Sequence, residues 1–233
     1  VADEIIVLEG GSTDNTVAIA NKLGARVVKQ KDPSSRNFSE WRNQGMDEAR
    51  GEWVLYIDHD EKITPELADE IKKITKPLTL DPFPYIAYAL PRLNIILGKK
   101  MRHGGWYPDY QQRLFLKRAF IKWVFPLHEE PRYKGKMGYL KHDLLHHKHD
   151  NISEMVEKTN AWSETEAKLL YDSGHPPMSW WRFWRIMATE LIDRLFIKGG
   201  ILDGTAGVIY GIYQMWSRFI TYAKLWELQT NKR

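Results

Sequence analysis

Gly51-Glu52-Trp53-Val54-Leu55-Tyr56-Ile57-Asp58-His59-Asp60-Glu61 decides the fold class. An apolar run of strand formers drives straight into an acidic turn, and Thr64-Pro65-Glu66 then supplies an N-cap, a first-turn proline and an acidic second position. That order predicts a buried strand, a polar turn and a helix reaching about Ile74. Upstream, Glu4 to Leu8 reads as another buried strand, Glu9-Gly10-Gly11-Ser12-Thr13-Asp14 as a turn, and Asn15 to Leu23 as a helix closed by Gly24. Arg26 to Lys29 makes a second short strand, Pro33-Ser34-Ser35 a polar loop, and Ser39 to Ala49 a helix ending near Gly51. The alternation predicts an α/β fold with a parallel sheet covered on both faces and ligands beyond the carboxyl ends of its strands. Asp58 and Asp60 stand at such an end.

From Tyr85 to Lys117 the rhythm changes to short strand-like pieces, Tyr85 to Leu90 and Arg113 to Lys117, broken by Gly98, Gly104-Gly105 and Pro108. Loops here are expected to form the second half of a site. Ile152 to Tyr171 reads as a helix, Gly174-His175-Pro176-Pro177 as a linker, and Ser179 to Lys198 and Thr205 to Leu228 as two longer helices. The expected division is an α/β domain over 1–150, a helix and linker over 151–176, and an amphipathic helical extension over 177–233.

The 233 residues, 43% hydrophobic and 27% charged, suffice for a sizeable core. With no cysteine, neither a disulfide framework nor a thiolate metal site is available, so any metal is held by oxygen or imidazole and a reducing, cytoplasmic setting is expected. Val1-Ala2-Asp3-Glu4 has no signal-peptide pattern, and no run of 18 or more apolar residues occurs. The formal net charge of +4 arises wholly from Pro177 to Arg233, where eight Lys/Arg face four Asp/Glu, and five of the 10 tryptophans lie there too. Trp beside Arg and Lys suits a lipid headgroup boundary better than nucleic acid, so peripheral membrane contact is expected. Trp180, Trp184, Met187, Leu191 and Leu195 recur at helical spacing, as do Trp216, Phe219, Ala223 and Trp226, and part of each stripe is expected to pack inward.

In an extended segment, residues two apart share a side, so Asp58 and Asp60 can aim at one point while His59 faces away. Two carboxylates about 5 Å apart repel by roughly 3 kcal/mol at an effective dielectric near 20, so the pair asks for a counter-charge. A hard divalent ion, Mg²⁺ or Mn²⁺, meets that need and completes its shell with substrate phosphates. The plainer alternative is an acidic turn that closes a strand.

Three separated segments resemble a known family. They are Asp3 to Thr16, then Arg42-Asn43 with Gly51 to Glu61, then Gly105-Trp106-Tyr107-Pro108-Asp109 with Arg113-Leu114-Phe115. They are similar to the GT2 glycosyltransferases, and within them to the WaaE-type lipopolysaccharide core β-glucosyltransferases. His128-Glu129 and Leu144-Leu145-His146 extend the likeness along most of the chain. The resemblance implies a GT-A fold, a Rossmann-like sheet with flanking helices, and a nucleotide-sugar donor, with UDP-sugar the expectation. It also implies inversion at the anomeric carbon. The family's first strand and helix are expected to precede Val1.

By the same resemblance, Glu9 stands where the family has an aspartate touching the nucleoside, Ser12 and Asp14 lie in the nucleotide turn, and Arg42 and Asp58 reach the phosphates. Capping of the next helix competes for Ser12 and Asp14, and an exposed helix arginine competes for Arg42. The base that takes the acceptor's proton is expected to be Glu129 or Asp109, the plainer alternative being that both acids only fix loop backbone. Among His142, His146, His147 and His149, His146 is the match for a histidine completing a metal shell with Asp58 and Asp60. Trp106 and Tyr107 offer faces for sugar stacking or for loop packing. The expectation is an inverting hexosyltransferase acting on a glycan or lipid-linked acceptor in lipopolysaccharide or envelope polysaccharide synthesis, peripheral at the inner face of the cytoplasmic membrane. A sugar nucleotidyltransferase and a non-catalytic membrane scaffold are the alternatives. Glycoside hydrolysis needs two opposed carboxyls, which one short segment does not supply.

Overall fold

A computed structural model describes residues 2–35, 37–76, 84–126 and 128–230. In chain order it contains β1 (Ile6–Glu9), α1 (Thr16–Lys22), β2 (Arg26–Lys29), α2 (Phe38–Glu48), β3 (Trp53–Leu55), β4 (Glu61–Ile63) and α3 (Pro65–Thr75). Then come β5 (Ala87–Ile96), β6 (Lys99–Lys100), β7 (Asp109–Leu116), β8 (Phe120–Val124), β9 (Glu130–Tyr133), β10 (Met137–Tyr139) and β11 (Leu144–His149). Three helices, α4 (Ile152–Asp172), α5 (Trp180–Ile192) and α6 (Gly204–Thr230), complete a mixed α/β fold with a helical C-terminal region.

Local signals account for the helix starts. Thr64 Oγ1 accepts from the Leu67 amide at 3.2 Å with Pro65 opening α3, and Asn37 Oδ1 accepts from the Glu40 amide at 3.3 Å at the start of α2. The Pro33–Ser35 loop is a single 3₁₀ turn.

β1 and β2 pair in parallel across α1, Ile6 opposite Arg26, as the strand–helix–strand pattern predicts. The larger sheet runs β3–β7–β5–β11–β4, with β6 and β10 also on β5. Here the expected parallel sheet is corrected. β3–β7 is antiparallel, Val54 opposite Phe115, as are β5–β6 and the β8–β9 ribbon, whereas β5–β10 is parallel. Antiparallel neighbours need no helical crossover, which is why 85–117 lacks a helical period in the sequence. The acid after the DHD turn, Glu61, opens a strand rather than a loop.

The chain divides into two interleaved compact units: Val1–His59, Ile63–Pro91 and Tyr110–Leu144 in the first, and Asp60–Lys62, Arg92–Asp109 and Leu145–Arg233 in the second. In the first unit, Leu67 and Ile71 of α3 pack with Leu90, Leu114, Leu140 and Leu144, and Met46, Ala87, Phe115 and Trp123 form a second cluster. Burying each such leucine contributes roughly 2–3 kcal/mol. In the second unit, Ile96, Met101, Met155 and Tyr210 form one cluster, and Ala167, Met178 and Leu225 another.

α5 turns Phe183 and Ile186 toward the second of those clusters, while Trp180 and Trp184 of the predicted stripe stay outside, 77% and 67% exposed. After α5 a π turn, Asp193–Ile197, and a 3₁₀ turn, Gly200–Asp203, make a corner through Gly199, whose φ of 67° suits glycine. At Gly207 a Cβ would fall 2.0 Å from the Gly200 carbonyl oxygen, so α6 crosses this corner only because glycine stands there. Among the described residues no single helix is long and apolar enough to cross a membrane. The pair Trp180–Ile197 and Gly200–Thr230, bent by 65°, has the length and composition together.

Candidate functional site

In the first unit the residue after β3 that the sequence singled out is held by two arginines. Asp58 Oδ2 accepts from Arg113 Nη2 at 2.5 Å and Oδ1 from Arg42 Nη2 at 3.1 Å. Burial alone would push the Asp58 carboxyl up, but the Arg113 guanidinium and then the Arg42 guanidinium overcome that and hold it below the ordinary aspartate value. The counter-charge that the sequence argument demanded is thus present at Asp58 as guanidinium.

Arg42 is no exposed helix arginine. Its side chain is 14% exposed, its Nε donates to Glu129 Oε1 at 2.7 Å, and its guanidinium lies over the Trp123 ring at 5.1 Å and the Tyr56 ring at 5.6 Å. Tyr56 Oη donates to the Arg42 carbonyl at 2.8 Å, and burial pushes that phenol up to about 12, so it remains a donor. The neighbouring Asn43 clasps β8, accepting from the Trp123 amide at 2.7 Å and donating to its carbonyl at 3.0 Å. Immediately before Glu129, His128 has a φ of 55°. A left-handed histidine costs on the order of 1–3 kcal/mol, and strain of that size clusters where a side chain must be aimed.

In the turn after β1 the acidic side chains bond to backbone amides. Glu9 Oε1 accepts from the Gly11 and Ser12 amides, and the Ser12 amide first and the Gly11 amide second hold its carboxyl below the usual range. Asp14 Oδ1 accepts from the Thr16 amide at 2.9 Å, while Asn15 occupies the N-cap of α1. Ser12 therefore does not cap the helix. It and Asp14 are exposed on the turn, open to a ligand.

In the second unit a chain of hydrogen bonds ends at Asp60. Asn94, 1% exposed, donates through Nδ2 to the Trp106 carbonyl at 3.2 Å, which turns its Oδ1 toward His146 Nδ1 at 2.7 Å. His146 Nδ1 faces that oxygen, and its Nε2 lies 3.2 Å from Asp60 Oδ2. Among the described residues no group of three or more His, Asp or Glu is placed to hold a metal ion. The imidazole nitrogen and carboxylate oxygen fit Mg²⁺ or Mn²⁺ as a partial shell, with the imidazole oriented from behind by Asn94.

Asp109 Oδ2 accepts both Nε and Nη2 of Arg92, at 2.9 and 2.7 Å, and Arg92 also meets the fully buried Glu61 side chain at 3.5 Å. Trp106 packs edge-on to Tyr210 at 4.8 Å with the Arg194 guanidinium 4.1 Å over its ring, so packing rather than sugar stacking describes it. Of the other histidines, His142 pairs with Glu70, His147 is exposed, and His149 is 6% exposed with its Nδ1 4.0 Å from Glu154 Oε1. Burial first and Lys148 second press the His149 ring down to about 4, from an ordinary 6.5. Because the folded value lies below the unfolded one, the unfolded state gains the proton first. Stability therefore falls as pH drops from about 6.5 toward 4, by roughly 2 kcal/mol between pH 7 and 5. Thermal unfolding of His149→Gln at the two pH values should show that part of the acid loss removed.

Sequence reading missed Arg113 and Asn94. Arg113 opens the apolar run Arg113-Leu114-Phe115-Leu116 and Asn94 lies inside Leu93-Asn94-Ile95-Ile96, and the two are 4% and 1% exposed. A polar group in such a run has to find a partner, and that was the available signal.

The sequence profile of glycosyl transferase family 2 matches residues 2–125, more than half of the chain. An uncharacterized glycosyltransferase of Rickettsia bellii (strain RML369-C) is 28% identical over 250 residues, covering 98% of this chain and 79% of the relative. A second, from Rickettsia conorii (strain ATCC VR-613 / Malish 7), is 29% identical, covering 97% and 82%. The SPbeta prophage-derived glycosyltransferase SunS of Bacillus subtilis (strain 168) is 30% identical over 82% of this chain and 44% of that protein.

Proposed function

The chain belongs to glycosyl transferase family 2, and from that premise we propose that it moves a hexose, with inversion, from a UDP-sugar to a glycan or lipid-linked acceptor. The observation that carries the residue assignment is Arg42 joining Asp58 and Glu129. Glu129 is the proton acceptor for the attacking hydroxyl, and Arg42 fixes its direction. For Asp58 the contacts favour an anchor that holds Arg42 and Arg113 for the donor's phosphates, beside the metal role expected from its sequence motif. Glu9, Ser12 and Asp14 meet the nucleoside from the exposed turn. Asp109, twice bonded to Arg92, keeps a structural part.

Asp60 and His146 would hold Mg²⁺ or Mn²⁺, which supplies positive charge to the departing nucleoside diphosphate. The tail's basic and tryptophan-rich composition supports peripheral attachment at the inner face of the cytoplasmic membrane. Acceptors of the lipopolysaccharide core or other envelope glycans are the chemistry that suits such a location.

Calorimetry with a panel of nucleotide-sugars, with and without Mn²⁺, tests the reading. A UDP-sugar should bind at least about tenfold tighter with Mn²⁺, and Asp60→Asn should erase that gain. Turnover should release free nucleoside diphosphate and an inverted anomer. Pyrophosphate as product would mean activation of a sugar instead, and an Asp60→Asn protein with the full metal effect would remove Asp60 from the site.

A further inference from the structure

The corner between α5 and α6 turns its apolar side chains outward. Ile192, Phe196, Ile197, Ile201 and Leu202 are 50%, 64%, 74%, 51% and 70% exposed, while Leu195 alone of the π turn's apolar residues is buried. Exposed apolar groups gathered on one turn mark a surface that is covered in use. The charges around them identify the cover. Glu190 pairs with Arg194, Asp193 with Lys198, and Asp203 with the His103 ring. Half-buried Arg182 and exposed Arg185 lean over the Trp181 ring at 5.4 and 5.8 Å, beside exposed Trp180 and Trp184. Cations with tryptophan behind an apolar tip complement anionic headgroups over acyl chains.

The same corner grips a loop on its polar side. Asp203 accepts from the Arg102 and His103 amides at 3.3 and 2.8 Å, the Gly104 amide donates to the Lys198 carbonyl at 2.8 Å, and Arg194 Nη1 donates to the Gly104 carbonyl at 3.1 Å. At Gly105, whose φ is 77°, a Cβ would meet Lys198 Cδ at 2.6 Å, so any larger residue there would be strained and would push the Lys198 side chain aside.

We propose that the 192–202 corner enters an anionic bilayer as a shallow wedge. It carries the Arg102–Trp106 loop to the headgroup plane, so the acceptor is presented from a membrane-anchored molecule. This deepens the glycosyl-transfer reading and rests on it for the word acceptor; the wedge itself stands on the exposures and contacts above.

Because the sequence has no cysteine, single probes are clean. Ile197→Cys and Leu202→Cys, carrying an environment-sensitive dye, should shift to the blue and be quenched by acyl-chain nitroxides on phosphatidylglycerol vesicles. Leu23→Cys, at a position 77% exposed in the other unit, should not respond. Amide exchange of 102–106 should slow about tenfold on those vesicles, and Asp203→Asn should abolish the slowing while leaving the 197 signal. Phe196→Ser with Ile197→Ser should weaken vesicle partitioning at least about tenfold with UDP-sugar binding unchanged.

Probes at 197 and 202 that stay water-like on anionic vesicles would overturn the wedge. So would a shift appearing with protein concentration in the absence of lipid, which would mean a second copy covers the corner, or equal partitioning onto phosphatidylcholine. Unchanged 102–106 exchange on bound vesicles would overturn the link to the loop. Insertion without nucleotide-sugar binding would keep this inference and sink the transfer reading; the reverse pattern would do the opposite.

Discussion

Glu129→Gln should lower kcat by about 10³-fold while the donor's Kd moves by no more than about threefold, since loss of a positioned proton acceptor costs roughly 10²–10⁴ in rate. Glutamine keeps the shape and can still accept from Arg42 Nε, which lies 2.7 Å from Glu129 Oε1, but it cannot take a proton at neutral pH. The network around Arg42 and the left-handed His128 should therefore survive, and the loss should fall on the chemical step. Single-turnover kinetics with a saturating nucleotide-sugar is the measurement. Asp109→Asn provides the contrast. Its carboxylate is spent on two hydrogen bonds from Arg92, so the change should cost less than about tenfold in kcat and show mainly as lower stability. If the two variants exchange these outcomes, Asp109 is the base.

The second large effect is expected at Asp58. Asp58→Asn should destabilise the protein by about 1–2 kcal/mol, because it strands two largely buried arginines, while solvent around the 36% exposed Asp58 side chain keeps the loss below that of a fully buried pair. The Arg113 side chain is only 5% exposed and that of Arg42 14%, so solvent replaces the lost carboxylate poorly at either guanidinium. For a chain of this size that loss is a fall in Tm of about 2–8 °C. Donor affinity should fall with it, since both guanidiniums lose the group that aims them. The pH dependence has a definite sign. The Asp58 carboxyl is held below its unfolded value, so its contribution is present above about pH 4 and disappears as pH falls through the folded value. Wild type and variant should therefore converge in stability in acid. Combining Asp58→Asn with Arg113→Met should restore much of the Tm without restoring donor binding, which separates an uncompensated charge from a general packing defect.

What could be read in the sequence was local. Thr64-Pro65 announced α3 and Gly24 closed α1, because caps, fixed φ values and helical spacing act within a few residues. The motif following β3 marked Asp58 and Asp60 because an apolar strand does not end in acids without a reason for them. The strand pattern around β5 and β7 was partly visible, but its pairing direction was not. On α5, Trp180 and Trp184 share helical spacing with Leu195, yet only the last is buried, in keeping with the expectation that part of the stripe packs inward. Periodicity says which residues share a face, not what that face meets.

Neighbours along the chain account for the strand–turn–helix order, the cysteine-free chemistry, the acidic motif and the basic, tryptophan-rich tail. Folding is what brings Asp58 to Arg113, 55 residues away, and Asp60 to His146, 86 residues away. It alone oriented His146 through Asn94 and closed the corner on the Arg102–Trp106 loop. Those pairings are set by strand register and by how buried charges find compensation, and both are properties of the folded chain.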